Sequence, residues 1–179
     1  MLPKFSDNNN NANPYGSVYH VQRYPSYERV ALATEKIYIK LLIHLAAQIE
    51  PPFRVLWILT APRCGSEPGR YCSTDIDSHE ELSIFLYDYQ EFFEGDGRHH
   101  LWILHPDSGP FVYDHHNVVY AYGNTGNAIH VAQQAGLVEG DIQIPPHHSH
   151  SYNEEFDAEE DRLARHFDWT ITPLRDGDE

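Results

Sequence analysis

Leu101-Trp-Ile-Leu-His-Pro-Asp-Ser-Gly-Pro-Phe-Val-Tyr-Asp-His-His-Asn-Val-Val-Tyr-Ala-Tyr122 is the stretch whose reading decides the fold. It holds three short runs, 101–104, 111–113 and 118–122, rich in β-branched and aromatic residues. Pro-Asp-Ser-Gly-Pro separates the first two and Asp-His-His-Asn the last two, and both gaps carry residues that close tight turns. The spacing predicts three consecutive strands in meander order.

Upstream, 53–60 reads as a buried strand, because it is short, apolar and bounded by Pro51-Pro52. Before it, Val30, Ala33, Ile37, Leu41, Leu45 and Ile49 advance in steps of three or four and predict one helix over about 27–48. Residues 61–77 hold Pro62, Gly65, Pro68 and Gly69 and read as a long loop. Ser78 with Glu81 forms a capping box, opening a helix with Leu82, Phe85, Leu86, Tyr89 and Phe93 on one face and with Gly95 and Gly97 at its end.

Downstream, the pattern predicts a helix over 125–135, a short strand over 141–144, a helix over 153–167 opened by Asn153, and an extended tail over 169–174. The order α-β-α-β-β-β-α-β-α is not regular alternation. It predicts an α+β domain, with helices packed on a mainly antiparallel or mixed sheet of about four to five strands. Residues 1–16, rich in Asn, Asp and Pro, read as a disordered leader. The rest, 17–179, reads as a single domain of ordinary length.

Charge is distributed unevenly. The formal net charge of −15 divides into +3 through residue 70 and −18 beyond it. Such a surface repels phosphate backbones and anionic lipid, which argues against nucleic-acid and membrane binding. No stretch is apolar enough for a secretory signal or a membrane span, and two cysteines make no disulfide framework, so the expected location is cytoplasmic. A docking face for a basic protein partner is the functional reading this charge suggests.

Several catalytic frames are absent. Neither G-x-x-x-x-G-K nor G-x-G-x-x-G after a strand occurs, and there is no G-x-S-x-G. Asp75-x-Asp77-x-His79 begins like a calcium loop but has Glu80 where glycine is needed and Leu86 at the twelfth position. Cys64 and Cys72 fit neither a zinc knuckle nor a redox C-x-x-C.

Histidine carries the remaining signal. In Ile144-Pro-Pro-His-His-Ser-His-Ser-Tyr-Asn-Glu154, an extended backbone points His148 and His150 the same way, as two imidazoles sharing a metal such as zinc require, and Glu154 adds a carboxylate. The pattern H-x-H-x-x-x-E resembles part of the first cupin motif on those three residues alone. The flanking glycines and a second motif are missing, and the helical segments do not suit a β-barrel. A second cluster, Asp114-His115-His116-Asn117, falls at a turn between strands. If the sheet brings it beside His147–His150, Asp114, His115, His116 and His147 line one polar pocket.

Two functional expectations follow. One is a small acidic cytoplasmic binding protein of inhibitor, immunity or regulatory type, acting through its acidic C-terminal half. The other is a metal-dependent hydrolase or lyase built on the His/Asp/Glu cluster.

Overall fold

In the computed structural model, residues 2–35 and 37–178 are described. Along the chain, β1 (Phe5–Asp7) precedes a hairpin of β2 (Val18–Arg23) and β3 (Glu28–Ala33). Helix α1 (Tyr38–Ala46) leads to β4 (Arg54–Leu59) and β5 (Gly69–Cys72), then to α2 (His79–Asp88) and α3 (Gln90–Gly95). The meander follows as β6 (His99–Leu104), β7 (Phe111–Tyr113) and β8 (Val119–Tyr122). Helix α4 (Thr125–Gln134) is succeeded by β9 (Val138–Glu139) and β10 (His148–His150). A 3-10 turn at Glu154–Phe156 enters α5 (Asp157–Ala164), and β11 (Thr170–Thr172) is last.

The α+β class holds, and the sheet is larger than expected. Among the described residues nine strands pair in the order β11-β5-β4-β6-β7-β8-β3-β2-β9 instead of four or five. All neighbours are antiparallel except the parallel pair β2–β9. The meander sits at its centre, with Trp102 opposite Val112 and Val112 opposite Tyr120. Helices α1 and α4 lie directly on the sheet, α1 against β7 and β8 and α4 against β2, β3 and β8, while α2 and α3 pack on α1. Val30, Leu32, Trp57, Leu101, Ile103 and Tyr113 point into this helix-covered core. Ala31, Ala33, Val112, Val118, Tyr120 and Ile142 form a smaller cluster, joined by Trp102 and Tyr15.

That two-sided burial explains the main correction. The expected helix over 27–48 is strand β3 followed by α1. Val30 and Leu32 enter one cluster and Ala31 and Ala33 the other. A strand buried on both faces is continuously apolar, and a three-to-four spacing can be traced through it. From Tyr38 onward the helical stripe is real, with Leu41, Leu42 and Leu45 buried.

Other corrections have local causes. The expected loop 61–77 contains β5, where Gly69 lets β11 approach: a Cβ there would meet the Thr172 carbonyl oxygen at 3.2 Å. Residues 141–144 form no strand and only Ile142 is buried, whereas strands form at β9 and β10. The leader expected over 1–16 is partly built in, since Lys4, Phe5 and Ser6 are buried and β1 pairs antiparallel with β10. Asn153 does not cap the last helix. Its side chain accepts from Leu2 N and donates to the carbonyls of Leu2 and Gly95. Ser78 behaves as read, accepting from Glu81 N at 3.1 Å. No helix among the described residues is long and apolar enough to cross a membrane.

Candidate metal centre

The turn between β7 and β8 is locked by its own polar side chains. Asp114 Oδ1 accepts from the amides of His116 and Val118, each at 3.0 Å, and Asn117 takes the left-handed conformation that asparagine tolerates. Asn117 Oδ1 also accepts from the Tyr113 hydroxyl. With its second oxygen, Oδ2, Asp114 contacts His116 Nδ1 at 2.9 Å, which orients the ring and leaves Nε2 as the free nitrogen.

Strand β10 arrives from elsewhere in the chain and brings the other histidines. The ring centroids of His115 and His150 are 4.2 Å apart, those of His116 and His150 5.2 Å, and those of His116 and His148 5.0 Å. One ligand nitrogen from each of His115, His116 and His150 fits within 4.8 Å of the others. His100 of β6 lies with its ring against that of His115, the centroids 4.2 Å apart and the planes tilted by 42°. It alternates with Leu101 and so leaves the sheet on the side away from the helices, where Trp102 also lies. Phe5, fully buried, backs the group, its ring 5.4 to 5.7 Å from those of His116, His148 and His150.

Burial keeps His100, His115 and His150 unprotonated at neutral pH. Burial holds His150 down at about 4, assisted by the neighbouring His116, His148 and Lys4. Burial likewise brings His100 to about 4, against the opposing pull of Asp114. His115 is driven far lower, first by burial and then by the three histidines around it. The Nε2 of His100 and the Nδ1 of His150 are buried and have no hydrogen-bond partner among the described residues. Neutral imidazoles with unused lone pairs are what a metal ion requires. The cluster opens on a cleft of about 420 Å³ lined also by Thr60, Ala61, His148 and Tyr152.

The two histidine-bearing segments therefore converge, but with a different membership from the one the spacing suggests. Asp114, His115, His116, His148 and His150 come together. His147 is exposed and outside the ring contacts that join the others. Glu154 is held away by Arg63, 3.2 Å from its carboxylate. His148 stays beside the ligand set, its Nδ1 2.7 Å from the Pro145 carbonyl. Unforeseen are His100, Phe5 and Lys4. Alternation within β6 was the available signal for His100; nothing in the composition of residues 2–7 signals Phe5 or Lys4. Lys4 is wholly buried, its ammonium 3.0 Å from the Phe93 carbonyl oxygen and 3.7 Å above the Tyr113 ring. Burial lowers it to about 7.

Next to the cleft lies an ion network that accounts for much of the acidic run at 154–161. Arg98, Asp96 and Glu160 have fully buried side chains. Arg98 donates to both oxygens of Asp96, to Glu160 Oε2 at 2.6 Å, to Asp157 and to the Asn153 carbonyl. Glu160 also accepts from the amides of Arg63 and Cys64. Glu159 pairs with Arg162 and Asp161 with Arg165. Helix α5 thus turns Glu160 inward in spite of the acidic run that it carries. Burial first, with help from nearby carboxylates, pushes the Cys64 and Cys72 thiols up, away from nucleophilic thiolate.

Comparison of the chain with protein-family models, curated proteins and solved structures gave no match. The chemistry rests on the site itself. Three imidazoles would leave a fourth position open on a tetrahedral divalent ion, and all three rings line the cleft.

Proposed function

We propose that the protein is a metal-dependent hydrolase or lyase whose ion is held by His115, His116 and His150. An all-imidazole set suits zinc, copper or nickel and disfavours magnesium and calcium, which prefer oxygen ligands. Such an ion makes bound water a nucleophile near neutral pH or polarises a substrate carbonyl. Asp114 supplies the outer-sphere carboxylate that fixes His116.

A single observation carries this reading. Two segments separated by more than thirty residues bring three imidazoles within 4.8 Å of one another at the wall of an open cleft. The acidic-docking alternative draws less support, because Asp96, Asp157, Glu159, Glu160 and Asp161 are engaged by arginines of the same chain.

The test uses protein purified without a metal-affinity step. Zinc titration calorimetry is run on the wild type and on His115→Ala and His150→Ala, and hydrolysis of an activated ester is followed against zinc occupancy. The reading requires one zinc per chain, at least tenfold weaker binding in each variant, and a rate that scales with occupancy. Equal binding by wild type and variants would overturn the site, and a rate independent of occupancy would overturn the catalysis.

A further inference from the structure

We infer that β1 positions the site: docking of residues 2–7 sets the place of His148 and His150, and metal capture and β1 docking reinforce one another. The inference rests on the metal reading above and adds the element that regulates it. Phe5 and Lys4 act here as positioning residues, since neither offers a ligand atom to the cluster.

The topology carries the argument. Strand β10, which holds both histidines, belongs to a two-stranded ladder with β1 and has no place in the nine-stranded sheet. Its register is Phe5 opposite His150, Ser6 opposite Ser149 and Asp7 opposite His148. The hydroxyls of Ser6 and Ser149 meet at 3.0 Å. Beyond the ladder, the Ser151 amide donates to the Lys4 carbonyl and the Gly97 amide donates to the Ser151 carbonyl, so β10 is stitched to the body on both sides. Asn153 binds both the amide and the carbonyl of Leu2. Phe5 touches His116 as well as His148 and His150, so one side chain reads the placement of both histidine segments.

A three-residue ladder is too short to persist without tertiary support. The segment behind it, Asn8-Asn-Asn-Asn-Ala-Asn-Pro14, has no apolar pattern to hold it. Order in β1 therefore depends on Phe5, Lys4 and the Leu2–Asn153 clamp. An ion that binds only when His150 is in place stabilises the docked state, and linkage requires docking to strengthen ion binding by the same factor.

Hydrogen–deuterium exchange on the full chain, with and without zinc, tests this directly. Zinc is expected to slow exchange in the peptide spanning 2–7 by the same factor as in the peptide spanning 148–151. Protection confined to the histidine segments, with 2–7 unchanged, would overturn the coupling. Phe5→Ala is expected to weaken zinc binding tenfold or more, and Phe5→Leu to restore most of it, with both variants keeping a cooperative melt. Wild-type zinc affinity in Phe5→Ala would overturn the inference while leaving the metal reading intact. If the wild type itself ignores zinc, the metal reading fails instead. The positioning role is then decided in metal-free protein, where Phe5→Ala must speed exchange at 148–151; unchanged exchange there would end it.

Discussion

Gly97→Ala puts the packing around the histidines to a quantitative test. Gly97 lies against both β1 and the chain leaving β10, where an added Cβ would sit 2.8 Å from the Lys4 carbonyl oxygen, 3.0 Å from His150 Cβ and 3.3 Å from the Ser151 oxygen. Two of these atoms are backbone and the third is the root of a ligand side chain, so no flexible tip can move aside. Relief requires the Gly97 backbone and the β1–β10 ladder to move apart by several tenths of an ångström, and overpacking of this kind costs about 1–3 kcal/mol. For a chain of this size each kcal/mol lowers the melting temperature by about 2–4 °C. Differential scanning calorimetry should therefore show a fall of roughly 2–12 °C, and zinc affinity should drop as well because His150 is displaced. An unchanged melting temperature would show that this close approach does not exist in solution.

Removing Glu160 tests the buried ion network: Glu160→Ala leaves Arg98 balanced by Asp96 but takes a buried acceptor from its Nη1 and from the amides of Arg63 and Cys64, and the urea midpoint should fall by an amount equivalent to about 1–3 kcal/mol. Asp114→Asn keeps an acceptor for the turn amides but weakens the hold on His116; calorimetry should show zinc affinity reduced by about 10- to 100-fold. Acid should destabilise the metal-free protein early. His100 and His150 sit near 4 when folded against an ordinary 6.5, so the unfolded chain binds protons first; their contribution to stability is whole above about pH 6.5 and declines as pH falls toward 4. A urea midpoint that stays flat across pH 6.5 to 4 would count against the neutral, buried state of these rings.

Much of the fold was legible where the sequence alternates against a single core. The meander, 53–60, the Ser78 cap and the helix at 125–135 each carry a periodic pattern closed by turn or cap chemistry. Legibility failed at β3, whose two faces are both buried, and at β5, where Gly69 looks like a loop residue but is small because β11 crosses close by. It failed at β1 for a different reason. Tyr15 stacks on Phe5, but the other partners of Lys4, Phe5 and Ser6 lie more than eighty residues away, and no local composition encodes that. At the site, the His115-His116 turn and the His148/His150 strand were readable as clusters, and their meeting was the geometric condition that residue order alone does not supply. Glu154 was chosen by spacing, whereas the fold gives it to Arg63.

The rims of the large sheet have a consequence of their own. One rim is β11, three residues long and wholly exposed, and the other is β9, only two residues long. So few unsatisfied amides give a stray strand little to grip, and Asp168, Arg175 and Asp176 place charge beside the longer rim. A nine-stranded sheet with such clipped margins resists end-to-end fibre growth despite its width.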